Sequence, residues 1–276
     1  MRNFLSILVT CSLLIILGCA TTGPGGKQSL VLISSGQESE IGKGMADEVA
    51  KTEKRLADDQ WQAYVNEVGQ KIVKVCDRQD IEYHFTVIES DQVNAFAAPG
   101  GYLYVYTGLL RIMDNEAELA AVMAHEISHV VGRHGVKQLQ ATMGVALATQ
   151  LVLGDKSSDV MKAAINVGMG LIFSGYSRDH EREADKFGIY YMPKAGYDPS
   201  ASITMFGKLA ALGGAGEPNV FEKLTASHPD TQERITNAKA EITGMGTLPA
   251  GLTLGTKRYQ DLKKRLPAPA KAEPKG

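Results

Sequence analysis

The sequence predicts an α+β protein that is mainly helical and includes a small β-sheet. Apolar residues recur at helical spacing through much of the chain, whereas two short segments are rich in β-branched and aromatic residues. With 276 residues, 44% of them hydrophobic, the chain is long enough to bury one large core. We therefore expect one folded domain, over residues 41–245.

The charge balance gives no support for nucleic-acid binding. The 29 basic residues are nearly matched by 31 acidic residues, which leaves a net charge of −2. Proteins that bind nucleic acids usually concentrate positive charge on one face or along one helix. We expect no nucleic-acid partner.

The N-terminus has the layout of a secretory signal. Arg2 is followed by an apolar run over residues 4–17. This run is shorter than the roughly 20 apolar residues that a membrane-spanning helix needs. We therefore interpret residues 1–18 as a signal peptide.

The apolar run ends in a motif that resembles the lipobox of bacterial lipoproteins, Leu17-Gly18-Cys19-Ala20. The resemblance implies cleavage before Cys19 and a diacylglyceryl group on its thiol, which would anchor the mature chain to a membrane. A second mature residue other than Asp, here Ala20, implies by the same resemblance the outer membrane, with the domain facing the periplasm.

A tether and then a helical region are predicted after the anchor. Residues 19–40 are rich in Gly, Ser, Thr and Pro, which is typical of a flexible linker. Residues 41–76 carry apolar positions at helical spacing, including Trp61, Tyr64, Val65, Val68 and Ile72. Cys76 continues this pattern, and we interpret it as a small buried hydrophobe. Because Cys11 leaves with the signal and Cys19 is modified, we expect no disulfide within the mature chain.

Two strands of a small sheet are predicted next. Residues 83–88 and 102–107 are rich in β-branched and aromatic residues, and Pro99-Gly100-Gly101 supplies a turn before the second segment.

Several helices follow the strands. Asn115, with Glu118 in the capping-box position, predicts the start of a helix that runs to about Arg133. Residues 139–173 predict either two helices or a mobile flap. A helix over residues 178–192 and two further helical stretches complete the domain, and residues 246–276 form a C-terminal extension with a disordered end.

The helix that starts at Asn115 carries His125-Glu126-Ile127-Ser128-His129. At about 100° per residue, His125 and His129 lie about 40° apart on one face, so both imidazoles can reach one ion. Zinc is the metal that such a site suits, and a neighbouring carboxylate can accept the proton of an activated water. Glu126 is the candidate general base. The helix is otherwise almost wholly apolar, so polar groups within it would be costly unless they served a site.

A third ligand has to come from elsewhere in the chain. His134 lies about 180° around the helix from His125, so we expect it to point away from the metal as a solvated helix-end residue. Glu181 and Asp185 lie one turn apart on a later helix and share a face with small residues that permit close helix approach. Glu181 could complete a His, His, Glu site, and Asp185 could orient His125 or His129.

Three segments together resemble metallopeptidase family forty-eight, the HtpX and CAAX prenyl protease type of gluzincins. They are residues 93–101 with Gly108-Leu109-Leu110, the histidine helix, and residues 181–185. The resemblance covers about residues 40–240 and implies a zincin-like metalloprotease domain with a small β-sheet packed beside the HExxH helix. The chain resembles a minimal periplasmic lipoprotein member of that family.

The family resemblance also implies roles for individual residues. His125, His129 and Glu181 would bind one zinc ion, Glu126 would activate water, and Asp185 would donate a proton or orient a ligand. The implied activity is a zinc metalloendopeptidase that hydrolyses unfolded or misassembled envelope proteins in protein quality control. The alternative is a chaperone-like assembly factor for outer-membrane proteins with a latent metal site.

Substrate and regulatory contacts follow from the same resemblance. An extended peptide would pair with an exposed strand edge near Asn94, Ala95 and Phe96, or near Tyr104, although Asn94 could equally be a turn residue. His228 resembles a histidine that closes onto the metal as a fourth ligand in some periplasmic relatives. It could instead mark the start of a helix.

Overall fold

The structure, a computed structural model, describes residues 19–21, 28–152, 158–214 and 231–269. His228 and the signal peptide lie outside the described residues. The fold is α+β and mainly helical, as predicted. The described strands are β1 (Cys19–Thr21), β2 (Gln28–Leu30), β3 (His84–Ile88), β4 (Ala95–Ala98) and β5 (Tyr102–Tyr106). The described helices are α1 (Ser35–Thr52), α2 (Asp59–Val73), α3 (Thr107–Ile112), α4 (Glu116–Val131), α5 (His134–Val152), α6 (Ser158–Leu171), α7 (Arg178–Lys194), α8 (Ser200–Gly214), α9 (Thr231–Gly244) and α10 (Thr256–Lys263).

The main sheet has three strands in the order β3-β5-β4, one more than the sequence predicts. β3 runs parallel to β5, whereas β4 is antiparallel to it. The sequence analysis missed β4 because three of its four residues are Ala, which has little strand propensity, so its pairing with β5 decides its conformation. β5 is paired on both sides, and the expectation of an exposed edge near Tyr104 is therefore wrong.

The core lies around α4, which packs against the sheet and against α2, α7 and α8. Trp61 is fully buried, and the other apolar positions predicted for the region of α2 are buried with it, namely Tyr64, Val65, Val68 and Ile72. Cys76 is also buried, and burial raises the pKa of its thiol, in agreement with its interpretation as a small hydrophobe.

Residues 31–40, which the sequence assigns to the tether, belong to the fold. Val31 and Ile33 are buried, and α1 begins at Ser35. The Ser34 hydroxyl accepts from the Gln37 N–H, and the Gln37 side chain accepts from the Ser34 N–H, which forms a capping box. The sequence did carry a signal here, because Leu30-Val31-Leu32-Ile33 is a run of four apolar residues, which is typical of a buried segment and not of a flexible linker.

The C-terminal boundary at residue 245 is also too early. Tyr259 on α10 is fully buried, its hydroxyl donates to the Leu110 carbonyl at 2.6 Å, and its ring meets that of Trp61 edge-on at 5.8 Å. Tyr259 and Leu262 are the two apolar residues of this short helix, and both pack on the core and attach the extension to it.

Helices α5 and α6 occupy the region for which the sequence left a choice between two helices and a flap. They pack against each other, α6 also packs against α1, and Val160 and Ala164 on α6 are buried. Among the described residues, none of the helices has both the length and the apolar character of a membrane span.

Candidate metal centre

Helix α4 presents the histidine motif inside the protein. The Asn115 side chain accepts from the Glu118 N–H at 3.0 Å and caps the helix at the predicted position. His125, Glu126 and His129 are all buried. Helical spacing brings both imidazoles to one face, as the motif predicts.

Helix α7 crosses α4 at close range and carries Glu181 to the histidines. Ala184 is fully buried in the contact, and a Cβ atom added at Gly188 would lie only 3.1 Å from the His125 backbone nitrogen. The small residues on this face of α7 therefore allow the close approach that the sequence predicts.

The three predicted ligands meet at one point. The Nε2 atoms of His125 and His129 lie 3.0 Å apart. Glu181 Oε1 is 3.3 Å from His129 Nε2, and Glu181 Oε2 is 3.5 Å from His125 Nε2. Donors on a tetrahedral zinc ion with bonds of about 2.0–2.1 Å lie about 3.3 Å from one another. Among the described residues, this is the group of His, Cys, Asp and Glu side chains whose spacing fits a metal ion.

Asp185 contacts His125 and not His129, which decides between the two alternatives left open by the sequence. Its Oδ1 atom lies 2.8 Å from His125 Nδ1. Arg234 on α9 binds the same carboxylate through two hydrogen bonds, from Nε to Oδ2 at 2.8 Å and from a terminal nitrogen to Oδ1 at 2.7 Å. Burial raises the pKa of Asp185, but Arg234 and His125 outweigh that effect and lower it to about 2.

The sequence analysis missed Arg234 as a residue of the site. It is buried, and its guanidinium lies 4.3 Å from the centre of the Phe206 ring. Its position held a weak signal, because Arg234 shares a helix face with Ala238 and Ile242, which both pack in the interior. A cation on an apolar helix face usually has a buried partner.

The expectation that His134 is a solvated residue is wrong. α4 ends at Val131, and Arg133 has a φ angle of 52°, so His134 starts a new helix in another direction. His134 is fully buried, and its Nδ1 atom lies 3.0 Å from Nδ1 of His129. The helical-wheel argument failed because it extended α4 beyond its actual end. Burial lowers the pKa of His134 well below its usual value.

His129 is enclosed on several sides. The Tyr176 ring stacks on its imidazole with centroids 4.0 Å apart. Burial lowers the pKa of His129 to about 4, against the opposing effect of Glu181. The side chain is therefore a neutral imidazole at physiological pH, the form that binds metals.

Glu126 faces two depressions beside the metal-binding group. One is an apolar pocket, whose lining includes Leu109, Ala121, Val122, Met205 and Leu209. The other is a narrow cleft along β4, bounded by residues 94–97 on one side and residues 172–176 on the other. This arrangement places a buried carboxylate next to the metal-binding group and next to space for a ligand.

The structure places the predicted substrate-binding residues at this cleft. Asn94 is buried, and its backbone oxygen accepts from the Tyr106 N–H at 3.1 Å, so it continues the sheet and does not form a turn. Ala95 lines both depressions. The Phe96 ring stacks on Tyr104 with centroids 4.6 Å apart.

Comparison with known proteins finds a matching family and several similar proteins. A sequence model of peptidase family M48 matches residues 59–242. The chain is 30% identical, over 216 residues, to the beta-barrel assembly-enhancing protease of Escherichia coli K12, covering 75% of this chain and 44% of that protein. It is 34% identical, over 175 residues, to the mitochondrial metalloendopeptidase OMA1 of Schizosaccharomyces pombe, covering 62% of this chain and 50% of that protein. It is 29% identical, over 162 residues, to metalloprotease YcaL of E. coli K12, covering 58% of this chain and 62% of that protein. The chain therefore spans about half the length of these relatives.

Proposed function

This chain belongs to peptidase family M48, and on that basis we propose that it is a membrane-anchored zinc metalloendopeptidase acting on unfolded or misassembled envelope proteins. The observation that carries this proposal is the convergence of His125, His129 and Glu181, with a buried Glu126 next to them.

His125, His129 and Glu181 would hold the zinc ion. Two imidazoles and one carboxylate are ligands that zinc favours, and the spacing of their donor atoms suits such an ion. Bound zinc would supply Lewis acidity toward water and the scissile carbonyl group.

Glu126 would take the proton of the attacking water. Its place on α4, one residue after His125, puts the carboxylate beside the metal-binding group without making it a ligand. Asp185, held by Arg234, would keep the His125 ring in the orientation that directs Nε2 toward the metal.

The edge of β4 opposite β5 would bind the substrate backbone. The Asn94 carbonyl accepts a hydrogen bond from the Tyr106 N–H. In an antiparallel ladder, residues that bond to the partner strand alternate with residues that do not. The backbone groups of Ala95 and Ala97 therefore point toward the opposite edge of β4. An extended peptide could add there as a strand, with little dependence on its sequence. The apolar pocket beside Glu126 would take an apolar side chain of that peptide. Unfolded proteins offer both features.

The cellular setting is also part of the proposal. Cys19 would carry the lipid anchor, with Ala20 directing the protein to the outer membrane and the domain to the periplasm. One relative is named a beta-barrel assembly-enhancing protease, which supports substrates in the envelope.

The test is the Glu126→Gln substitution in the full chain. We expect the variant to keep one zinc ion per chain by elemental analysis and to lose cleavage of unfolded casein. Glu48→Gln, in a surface ion pair with Lys51 on α1, serves as the control and should cleave as the wild type does. Undiminished cleavage by Glu126→Gln, or wild-type protein that binds no zinc, would defeat the proposal.

A chaperone-like assembly factor is the alternative, and the same variant separates the two. If Glu126→Gln corrects the envelope assembly defect of a strain that lacks this protein as fully as the wild type does, the protein acts through binding. If only the wild type corrects the defect, proteolysis is the function.

A further inference from the structure

We propose that His134 is a positioning residue for the zinc site, accepting a hydrogen bond from the Nδ1–H of His129. The inference rests on the proposed zinc-binding function of His129 and assigns a purpose to a buried histidine outside the HExxH motif.

The two nitrogens of the His129 ring face different partners. Nε2 lies 3.0 Å from His125 Nε2 and 3.3 Å from Glu181 Oε1, on the side of the metal-binding group. Nδ1 lies 3.0 Å from Nδ1 of His134. A neutral imidazole that binds a metal through Nε2 carries its proton on Nδ1, so His129 has to be the donor in this contact.

This direction of donation determines the tautomer of His134. Its Nδ1 atom must offer a lone pair, so its proton lies on Nε2. The carboxylate of Glu183 lies on that side of the ring, with Oε2 4.0 Å from His134 Nε2, which is beyond hydrogen-bond distance but gives an electrostatic attraction for a proton there.

Neighbouring residues hold the His134 ring in a defined position. It is fully buried and stacks on His180 with centroids 4.2 Å apart and 12° between the planes. It also lies over Gly132, where an added Cβ atom would come within 2.3 Å of His134 Nε2. Glycine at that position leaves the space that the ring occupies.

Buried contacts also hold the backbone before His134. Arg133 has a φ angle of 52°, an uncommon conformation for a residue with a side chain. Its guanidinium donates to Glu38 at 2.9 Å and to the Ile33 carbonyl at 2.6 Å, and both contacts are buried. The buried ion pair thus maintains the turn that directs His134 back toward His129.

The two proposed zinc-binding histidines therefore have different supports. His125 is held by the charged Asp185, whereas His129 is held by a neutral imidazole. Groups that hold the second nitrogen of a ligand histidine typically contribute a factor of about 10–100 to metal affinity.

The test compares two substitutions in the full chain. His134→Phe keeps a planar ring in the buried position of His134 but removes the Nδ1 acceptor. His134→Asn places an oxygen close to the former position of Nδ1. We expect competition with a chromogenic chelator to show zinc affinity at least about 10-fold lower for His134→Phe, and within about threefold of the wild-type value for His134→Asn. Equal affinity for the wild type and His134→Phe, or equal losses for the two variants, would overturn the proposal.

A spectroscopic measurement on the wild-type protein removes the dependence on variant folding. In the zinc-loaded protein labelled with 15N-histidine, we expect a proton on Nδ1 of His129 and on Nε2 of His134. A proton on Nδ1 of His134 would contradict the inference while leaving zinc binding intact. If wild-type protein takes up no zinc, this inference and the proposed function fail together.

Discussion

Asp185 Oδ1 lies 2.8 Å from His125 Nδ1, although the two residues belong to different helices and are 60 positions apart. Arg234 donates two hydrogen bonds to the same carboxylate from a third helix. The orientation of one proposed metal ligand therefore depends on the packing of α4, α7 and α9 together.

Replacing Asp185 by Asn should weaken zinc binding about 10- to 100-fold, because an amide holds the His125 ring less firmly than a carboxylate. Chelator competition measures the affinity. Asp179→Asn is the matched control on the same helix, where the side chain is exposed and pairs with Arg182, and it should leave zinc affinity unchanged. Equal affinities for wild type and Asp185→Asn would contradict the role assigned to this carboxylate.

Arg234→Met should lower the unfolding free energy of the metal-free protein by about 3–5 kcal/mol, because it leaves the buried Asp185 carboxylate without its cation. Urea unfolding measures this quantity. Arg182→Met is the control, since Arg182 pairs with Glu233 at the surface and its loss should have no measurable effect. Similar changes for the two variants would show that Arg234 is not an interior ion-pair partner.

Acid should remove the stabilisation that comes from Asp185. Its pKa is about 2 in the folded protein, against about 3.9 when unfolded, a difference that corresponds to about 2–3 kcal/mol. Because the folded pKa is the lower one, this contribution is complete above about pH 4 and is lost as the pH falls toward 2. The stability difference between wild type and Asp185→Asn, both metal-free, should therefore shrink over that interval. The exposed Asp261, exchanged for Asn, should show a much smaller change, because solvent screens its ion pairs with Lys257 and Lys264.

Gly188→Ala should destabilise the protein by about 1–3 kcal/mol, because the new methyl group would meet the backbone of α4 at His125 and separate the two helices. Gly207 on α8 is the control, with no atom within 4 Å of an added Cβ. Its change to Ala should raise stability by about 0.5–1 kcal/mol through helix propensity. Unfolding experiments in urea compare the pair, and a stabilising Gly188→Ala would contradict the close contact.

Glu38→Ala should cost about 3–5 kcal/mol of stability, because it leaves the buried guanidinium of Arg133 without its carboxylate and leaves Arg78 with Asp80 alone. Glu48→Ala, which removes a surface pair with Lys51 on the same helix, should change stability little. A small loss for Glu38→Ala would mean that this interior network does not hold α1 against the end of α4.

Local patterns were sufficient for the elements that carry the proposed ligands. The spacing within His125-Glu126-Ile127-Ser128-His129 and between Glu181 and Asp185 indicated two helix faces, and the structure brings those faces together. Helical periodicity reports such relations because residues three and four positions apart share a face in any α-helix.

Residues whose position depends on distant contacts were not predicted. Tyr259 and strand β4 lack a periodic signal, and they are positioned by contacts with Leu110 and with β5. His134 was misplaced because Arg133 ends the helical path through a conformation that a helical wheel does not anticipate.

The sequence by itself determined the two helices that carry the proposed ligands and the resemblance to the family, because spacing along one helix is a local property. Only the tertiary structure decided which group holds each histidine, Asp185 with Arg234 for His125 and His134 for His129. Those contacts depend on how separate helices cross and where each one ends, and the packing of the whole core determines both.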